Sequence, residues 1–264
     1  MNWAAYTDTV GKTREVRLDP DSLRRSLRGR DFCTMRGDPS RTADPKPMHD
    51  PADPRVEIVC GAAAARYVEP LAALRIAVFR DWPYLYAGDF GYERDYLAAY
   101  AASPDSVFVL VLVDGEVVGA ATGIPLSDDA AAFRQPFEQR GWRVEDVFYF
   151  GESVLLPAWR GRGLGHAFFD HREAHARALG RFRCTAFAAV DRDPADPRRP
   201  AQHRDNDAFW TGRGYQRQPG MTMQLPWDEI DAGEIPHPLT FWLRPLDRAA
   251  DRRQPTTDVR EQVS

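Results

Sequence analysis

Three features of the chain predict an α/β fold of the α+β kind with one core. Two β-branched runs flank Asp114-Gly115, an Asp-Gly pair suited to a tight hairpin turn. An apolar, strand-like run at 147–156 ends in a turn residue, Pro157, and a glycine-rich stretch. An amphipathic helix then follows to about Leu179, closed by Gly180. With 264 residues, 43% of them hydrophobic, the chain suffices for one sizeable core.

Taken in order, residues 1–55 stand apart. Between Cys33 and Arg55 the large apolar side chains are Met35 and Met48, and Pro39, Pro45, Pro47, Pro51 and Pro54 break any regular element. So little apolar surface cannot offset the entropy of ordering, so this stretch reads as a disordered N-terminal tail, with a short basic helix expected at 21–30. A strand is expected at 56–60 and a helix at 68–79, where Val68, Leu71, Ala72, Ile76 and Phe79 recur at helical spacing. Pro83 interrupts, and a second helix is expected at 92–101. The hairpin comprises 106–113 and 116–123, and a helix at 130–140 sits in a long connection, 125–146, that reads as a lid. The central strand, 147–156, and the helix from Gly163 come next. A strand at 184–190, a polar proline-rich loop at 191–204, a short helix at 205–211 and strands at 221–225 and 239–243 complete the domain, 56–246. A polar C-terminal tail covers 247–264.

The stretch Arg160-Gly161-Arg162-Gly163-Leu164-Gly165 joins a strand end to a helix start. The first N–H groups of a helix lack internal partners, the helix dipole is positive there, and glycine lets backbone approach a phosphate. With Arg160 and Arg162 alongside, the stretch suits a pyrophosphate. It is not a Walker loop, because it ends Gly165-His166-Ala167 rather than Gly-Lys-Ser/Thr. Nor is it a dinucleotide fingerprint: counted from Gly161, the third glycine would fall at His166, and Asp191 comes late for the ribose carboxylate.

What remains is Arg-x-x-Gly-x-Gly after a strand. A second stretch, Asn206-Asp207-Ala208-Phe209-Trp210-Thr211-Gly212-Arg213-Gly214-Tyr215, reads as a capped short helix, a glycine stop and an aromatic strand start. Together the two resemble the pyrophosphate loop and a later motif of the GCN5-related N-acetyltransferase (GNAT) superfamily, in the family's order. The resemblance covers about 56–246. It implies a mixed, mostly antiparallel sheet flanked by helices, with the strands at 147–156 and 184–190 splayed around the pantetheine arm of acetyl-CoA as co-substrate. Backbone groups near Ser153 and Leu155 would pair with the pantetheine amides. Those from Gly161 through Leu164 and Gly165 to His166 would hold the pyrophosphate, with Asn206 nearby.

Acetyl transfer to an amine needs a proton acceptor beside the thioester. Glu152 interrupts an apolar strand, and a carboxylate there is costly unless paired or functional. Strict alternation puts it on one face with Phe150 and Val154, and Tyr149, Gly151 and Ser153 on the other. Three roles stay open to Glu152: the base, a holder of the acceptor's ammonium, or the partner of an arginine in a structural ion pair. Tyr149 is the second catalytic candidate. The later motif carries Phe209-Trp210 where the family often has a proton-giving tyrosine, and Tyr215 lies far along, so the acid that protonates the thiolate is unassigned. The segment 81–90, with Trp82, Tyr84, Tyr86, Asp81 and Asp89, is where the family often walls the acceptor, and its aromatics and acids suit a cationic amine.

His171-Arg172-Glu173-Ala174-His175 imitates a zinc helix but has Arg172 where the second-position glutamate belongs, so packed histidines and no metal are expected. Cys33, Cys60 and Cys184 show neither disulfide nor metal spacing. A net charge of −4 implies no general nucleic-acid affinity. No apolar run is long enough for a membrane span, and no signal peptide is evident, so the expectation is cytoplasmic. The acceptor expected is a small-molecule or peptide amine, with oligomerisation left open. The rival to an active enzyme is an idle module of the same fold that binds acyl-CoA as a sensor.

Overall fold

The structure, a computed structural model, describes residues 53–246 together with 5–7 and 13–15. Within the first 52 residues, β1 (Ala5–Thr7) and β2 (Thr13–Glu15) pair as a short antiparallel ladder. The expected basic helix at 21–30 and the C-terminal tail, 247–264, lie outside the described residues.

A seven-stranded sheet organises residues 53–246. Its strands are β3 (Arg55–Cys60), β4 (Val107–Val113), β5 (Glu116–Pro125), β6 (Val147–Leu155), β7 (Cys184–Val190), β8 (Gln216–Glu229) and β9 (Gly233–Pro245), in the order β3-β4-β5-β6-β7-β9-β8. Every neighbouring pair is antiparallel except β6–β7. Positive φ at both Asp114 and Gly115 builds the turn that the Asp-Gly pair announces. On one face lie α1 (Val68–Phe79), α2 (Phe90–Ala102) and α3 (Ala131–Glu138), burying Leu71, Leu97, Tyr100 and Phe137. On the other lie α4 (Leu164–Leu179) and α5 (Asp207–Gly212), whose Phe168 and Phe169 join Phe148, Phe150 and Trp242.

Two features of β6 shape everything that follows. First, β6 and β7 pair only from Val147 opposite Cys184 to Tyr149 opposite Ala186, although they run on to Leu155 and Val190. The sheet opens beyond that point, as expected. Second, Ala121 of β5 faces Ser153 while Gly123 faces Phe150, so Gly151 and Glu152 together oppose Thr122. This is a β-bulge, which puts an extra residue in one strand and interrupts alternation. The expected side-chain phase is therefore overturned past Gly151. Val154 lies in the core with Tyr149, whereas Phe150 packs in the opposite core.

Two further expectations change. The last strand pair is far longer than 221–225 and 239–243. Its prolines are tolerated because β8 is the sheet edge, and Pro236 and Pro238 precede Leu239, where pairing of β9 with β7 ends. The 125–146 connection is not a free lid: its helix α3 is fastened by Phe133 against Tyr149, 5.2 Å between ring centres, and by Phe137 against Phe241, 5.0 Å.

Candidate active site

Where the sheet opens, the bulge turns the Glu152 carboxylate toward α1 and α2. Its Oε2 accepts from Arg75 of α1 at 2.5 Å and from the Tyr96 hydroxyl of α2 at 3.3 Å. Arg75 also pairs with Glu93, and its guanidinium lies over the rings of Tyr96 and Phe79, 4.4 and 4.9 Å from their centres. Burial opposes the Arg75 charge, but Glu152 and Glu93 outweigh it and hold its pKa above the ordinary arginine value. Burial raises the pKa of Glu93, with Arg75 opposing. Glu152 is only 6% exposed, and its Oε1 has no hydrogen-bond partner among the described residues.

Next to this group, Tyr100 donates to Asp129 Oδ2 at 3.0 Å, and the Ala130 N–H donates to Oδ1 at 2.8 Å. Burial lifts the Asp129 carboxyl to about 6 in spite of these bonds. The hydroxyls of Tyr96 and Tyr100 converge over Gly151. A Cβ there would sit 2.9 and 2.8 Å from them and 2.6 Å from Thr122 Oγ1, so any other residue would have to displace these hydroxyls.

Behind the strand, on the α4 side, Arg172 is 1% exposed. It donates to the carbonyls of Thr122, Glu152 and Phe168, each at 3.1 Å, and to Ser153 Oγ at 2.8 Å. It also lies over Phe150 at 4.2 Å. Arg172 thus clasps both strands across the bulge. Burial pulls its pKa down to about 10. Leu156 N–H bonds the Val118 carbonyl, so by antiparallel alternation the backbone groups of Leu155 and Ser153 face away from β5, toward the opening. The Leu155 carbonyl accepts from Arg160 Nε at 3.0 Å, which fixes the loop against the strand end.

Gly161 and Gly163 take left-handed φ of 77° and 79°, with open space where a Cβ would stand, and Gly163 caps α4. A loop so shaped presents the N–H groups of Gly163, Leu164 and Gly165 outward at the positive end of a 16-residue helix. His166 N–H is already spent on the Gly163 carbonyl at 2.9 Å, so His166 leaves the expected cradle. Its ring instead packs on Phe209 and meets Arg213 at 3.2 Å. Arg162 folds over Trp159, 4.6 Å from the ring centre. Asn206 occupies the cap position of α5, yet its side chain makes no capping bond.

The acceptor segment is mostly structural. Asp89 caps α2 by accepting from Tyr92 N–H at 2.8 Å. Tyr86 is buried and accepts from Asp89 N–H, and Trp82 packs by His203 and Arg192. Tyr84 packs at a tilt between Phe79 and Trp227, and its carbonyl accepts from Arg192 and Trp227. Tyr149 is 2% exposed, and burial holds its pKa well above the usual tyrosine value, so it stays a neutral phenol rather than a base. Tyr215 is buried on the α4 side with Thr185 and Glu173. On α4, His175 bonds the Asp105 carbonyl at 2.9 Å, as a packed histidine should, and His171 is likewise half-buried. The residues turned inward there are Arg172 and Glu173, which the histidine pattern obscured. Arg75, Tyr96, Asp129 and Arg172 were not singled out from sequence; a buried arginine at an apolar helical position was the available signal for two of them.

Among the described residues no helix is long and apolar enough to cross a membrane. Residues 72–199 match the acetyltransferase (GNAT) family. No curated protein matches the chain in sequence. Similar solved structures include yncA from Salmonella typhimurium with its cofactor acetyl-CoA, 15% identical over 75% of this chain and 97% of that one, with a TM-score of 0.46. The ribosomal-protein-alanine N-acetyltransferase of Brucella melitensis is 16% identical over 72% and 99%, TM-score 0.48. An N-acetyltransferase from Staphylococcus aureus is 12% identical over 73% and 99%, TM-score 0.46.

Proposed function

Because residues 72–199 form a GNAT-family acetyltransferase domain, we propose that the protein transfers an acetyl group from acetyl-CoA to a primary amine within one ternary complex. The observation that carries this is Glu152: a buried carboxylate at the mouth of the opened sheet, with one oxygen held and the other without a donor. Acetyl-CoA supplies an activated thioester. The loop N–H groups from Gly163 to Gly165, with Arg160 and Arg162 beside them, suit its pyrophosphate. The backbone edges of Ser153 and Leu155 suit its amides. Glu152 Oε1 takes one proton from the acceptor's ammonium. The freed nitrogen forms the new C–N bond as the C–S bond breaks. The nitrogen's second departing proton goes to the thiolate, directly or through water, since the Tyr215 hydroxyl is engaged on the far face. Glu152 then returns its proton to solvent. Arg75 pairs with Glu152 and orients it, while Arg172 fixes the bulge that aims it; both are positioning residues.

The transferase domain is assigned to 56–246, with 1–55 and 247–264 as polar extensions outside the chemistry. The direct test is thiol release from acetyl-CoA against a panel of amines, alongside calorimetric titration with CoA. Amine-dependent thiol release is expected, and Gly163→Glu should abolish CoA binding in a folded chain because the left-handed, open position cannot take a side chain beside a phosphate. CoA binding with no amine-dependent release would instead support a sensor of acyl-CoA.

A further inference from the structure

One cavity lies away from the opened sheet, at the end where β6 and β7 are still paired. It measures about 320 Å³, near the low end of the range for small-molecule sites, roughly 300–1,000 Å³. Arg140, Gly141, Trp142, Arg143, Asp146 and Arg183 line it. From Val147, next to Asp146, to Glu152 is about 16 Å at the rise of a strand, so a small ligand here stands apart from the reacting groups.

The walls are fixed by backbone bonds. Helix α3 closes at Gly141, whose φ is 72°. Gly141 N–H donates to the Glu138 carbonyl at 2.9 Å and Trp142 N–H to the Phe137 carbonyl at 3.0 Å, the paired bonds of a glycine-closed helix end. They set the Trp142 ring edge-on to Phe137, 6.2 Å between centres. Trp142 is still 41% exposed, so one part of the indole is anchored and the rest is open to the cavity. On the other wall, Arg183 N–H donates to the Asp146 carbonyl at 2.7 Å, and Arg183 Nε pairs with the Asp146 carboxylate at 3.2 Å.

That pairing accounts for both Asp146 and Arg183. Arg140 and Arg143 have no ion-pair or hydrogen-bonded side-chain partner among the described residues. Glu138 and Glu145 belong to the same segment, but neither lines the cavity nor comes within ion-pair distance of these two guanidiniums. The indole is also uncovered: no described guanidinium lies over Trp142, whereas Arg162 lies over Trp159 and Arg192 over Trp82. Guanidiniums offer planar donors to an anion, and an indole face accepts a flat ring. In this volume they suit one ring and one anionic group rather than a polyanion, which the net charge of −4 also opposes. We infer that the cavity binds a small aromatic anion, its ring against Trp142 and its phosphate or carboxylate held by Arg140 and Arg143.

Calorimetric titration of the full chain, with and without saturating CoA, tests this. The probes are adenosine 5′-monophosphate and indole-3-acetate, which join a ring to a phosphate or a carboxylate, and adenosine and inorganic phosphate, which carry ring or charge alone. At least one of the first pair should bind more tightly than adenosine and phosphate by about tenfold or more, the scale of one base–aromatic stack. CoA should leave that affinity unchanged, and added salt should weaken it because the guanidiniums are exposed. Trp142→Leu, which keeps an apolar cover on Phe137, and Arg143→Gln should each weaken it by about tenfold while leaving CoA affinity unchanged. No binding of either aromatic anion at millimolar concentration, equal affinity for phosphate alone, displacement by CoA, or full affinity in either variant would overturn the inference. The readout is binding at a second site, so the result stands independently of whether any amine is acetylated.

Discussion

Two buried arginines flank the same bulge and do opposite work. Arg75, on the α1–α2 side, is bound to two carboxylates and two aromatic rings. Arg172, on the α4 side, is bound to three carbonyls and a hydroxyl, with no carboxylate in contact. Their pKa values move in opposite senses for that reason: the carboxylates raise the first, and burial lowers the second. The side of β6 that pairs charge with charge can bind and move protons. The side that spends a full charge on backbone oxygens can only hold geometry. One strand thus carries the proposed chemistry on one face and its scaffold on the other, divided at Gly151 and Glu152.

The sharpest way to break that division is on the chemical face. Glu152→Gln keeps size and most contacts but removes proton acceptance. Turnover should fall by roughly 10²–10⁴-fold, the range of a general base. CoA affinity should stay almost unchanged, and the rate should recover partly at high pH, where the amine deprotonates in solution. Near-normal turnover at neutral pH would exclude Glu152 as the base. Normal turnover at saturation with a greatly raised acceptor KM would assign it to ammonium binding.

On the scaffold face, Arg172→Met keeps an apolar stem over Phe150 but strands the Thr122 and Glu152 carbonyls. Breaking such a buried charged network costs about 3 kcal/mol or more, roughly a 6–12 °C fall in Tm for a domain of this size. Turnover should drop by about 10²-fold through misplacement of Glu152, because small displacements at a reacting centre are that costly. The pH profile should keep its shape, and Arg172→Lys should recover part of the rate. A variant equally unstable but fully active at low temperature would show that Arg172 does not position the site.

These roles explain what was legible in the sequence. Helix α1 and strand β7 fall where periodicity places them, since each is set by its own apolar pattern. The glycine loop and the Asp-Gly turn were readable because left-handed backbone needs glycine or its few substitutes. The bulge reads as regular alternation; Gly151 inside the strand is the one local sign of it. Gly151 is crowded by tyrosine hydroxyls from α2, a contact between distant segments. For the same reason Arg75 and Tyr96 could not be joined to Glu152 from spacing alone. The acceptor segment misled in the other direction: its aromatics look like a binding wall, but Asp89 caps a helix and Tyr84 is fastened to β8.

A smaller, signed effect belongs to Asp129 on the charged face. Its folded pKa, about 6, lies above the ordinary aspartate value of 3.8. Between those values the folded state binds the proton more than the unfolded state does. Stability attributable to this group therefore falls as pH rises from about 4 to 6, and its burial is a net cost at neutral pH. The amount is on the order of 1–3 kcal/mol, from the size of the shift. Compared with Asp129→Asn, the native chain should gain Tm on acidification from pH 7 toward 4.5. Parallel Tm curves for the two proteins would contradict the raised carboxyl.

Ser153→Ala should do least, and it tests where the scaffold's strength lies. Ser153 accepts one bond from Arg172, but the residue is exposed, so water can take the vacated donor. The Thr122 and Glu152 carbonyls at the bulge keep their bonds to the same guanidinium. The loss should be about 1 kcal/mol, a Tm change of roughly 2–4 °C. Turnover should stay within about twofold, because the backbone edge that faces the opening is unchanged and Glu152 keeps both its partners. A large loss of rate from this one hydroxyl would place Ser153 on the chemical side of the strand and remove the division between the two arginines.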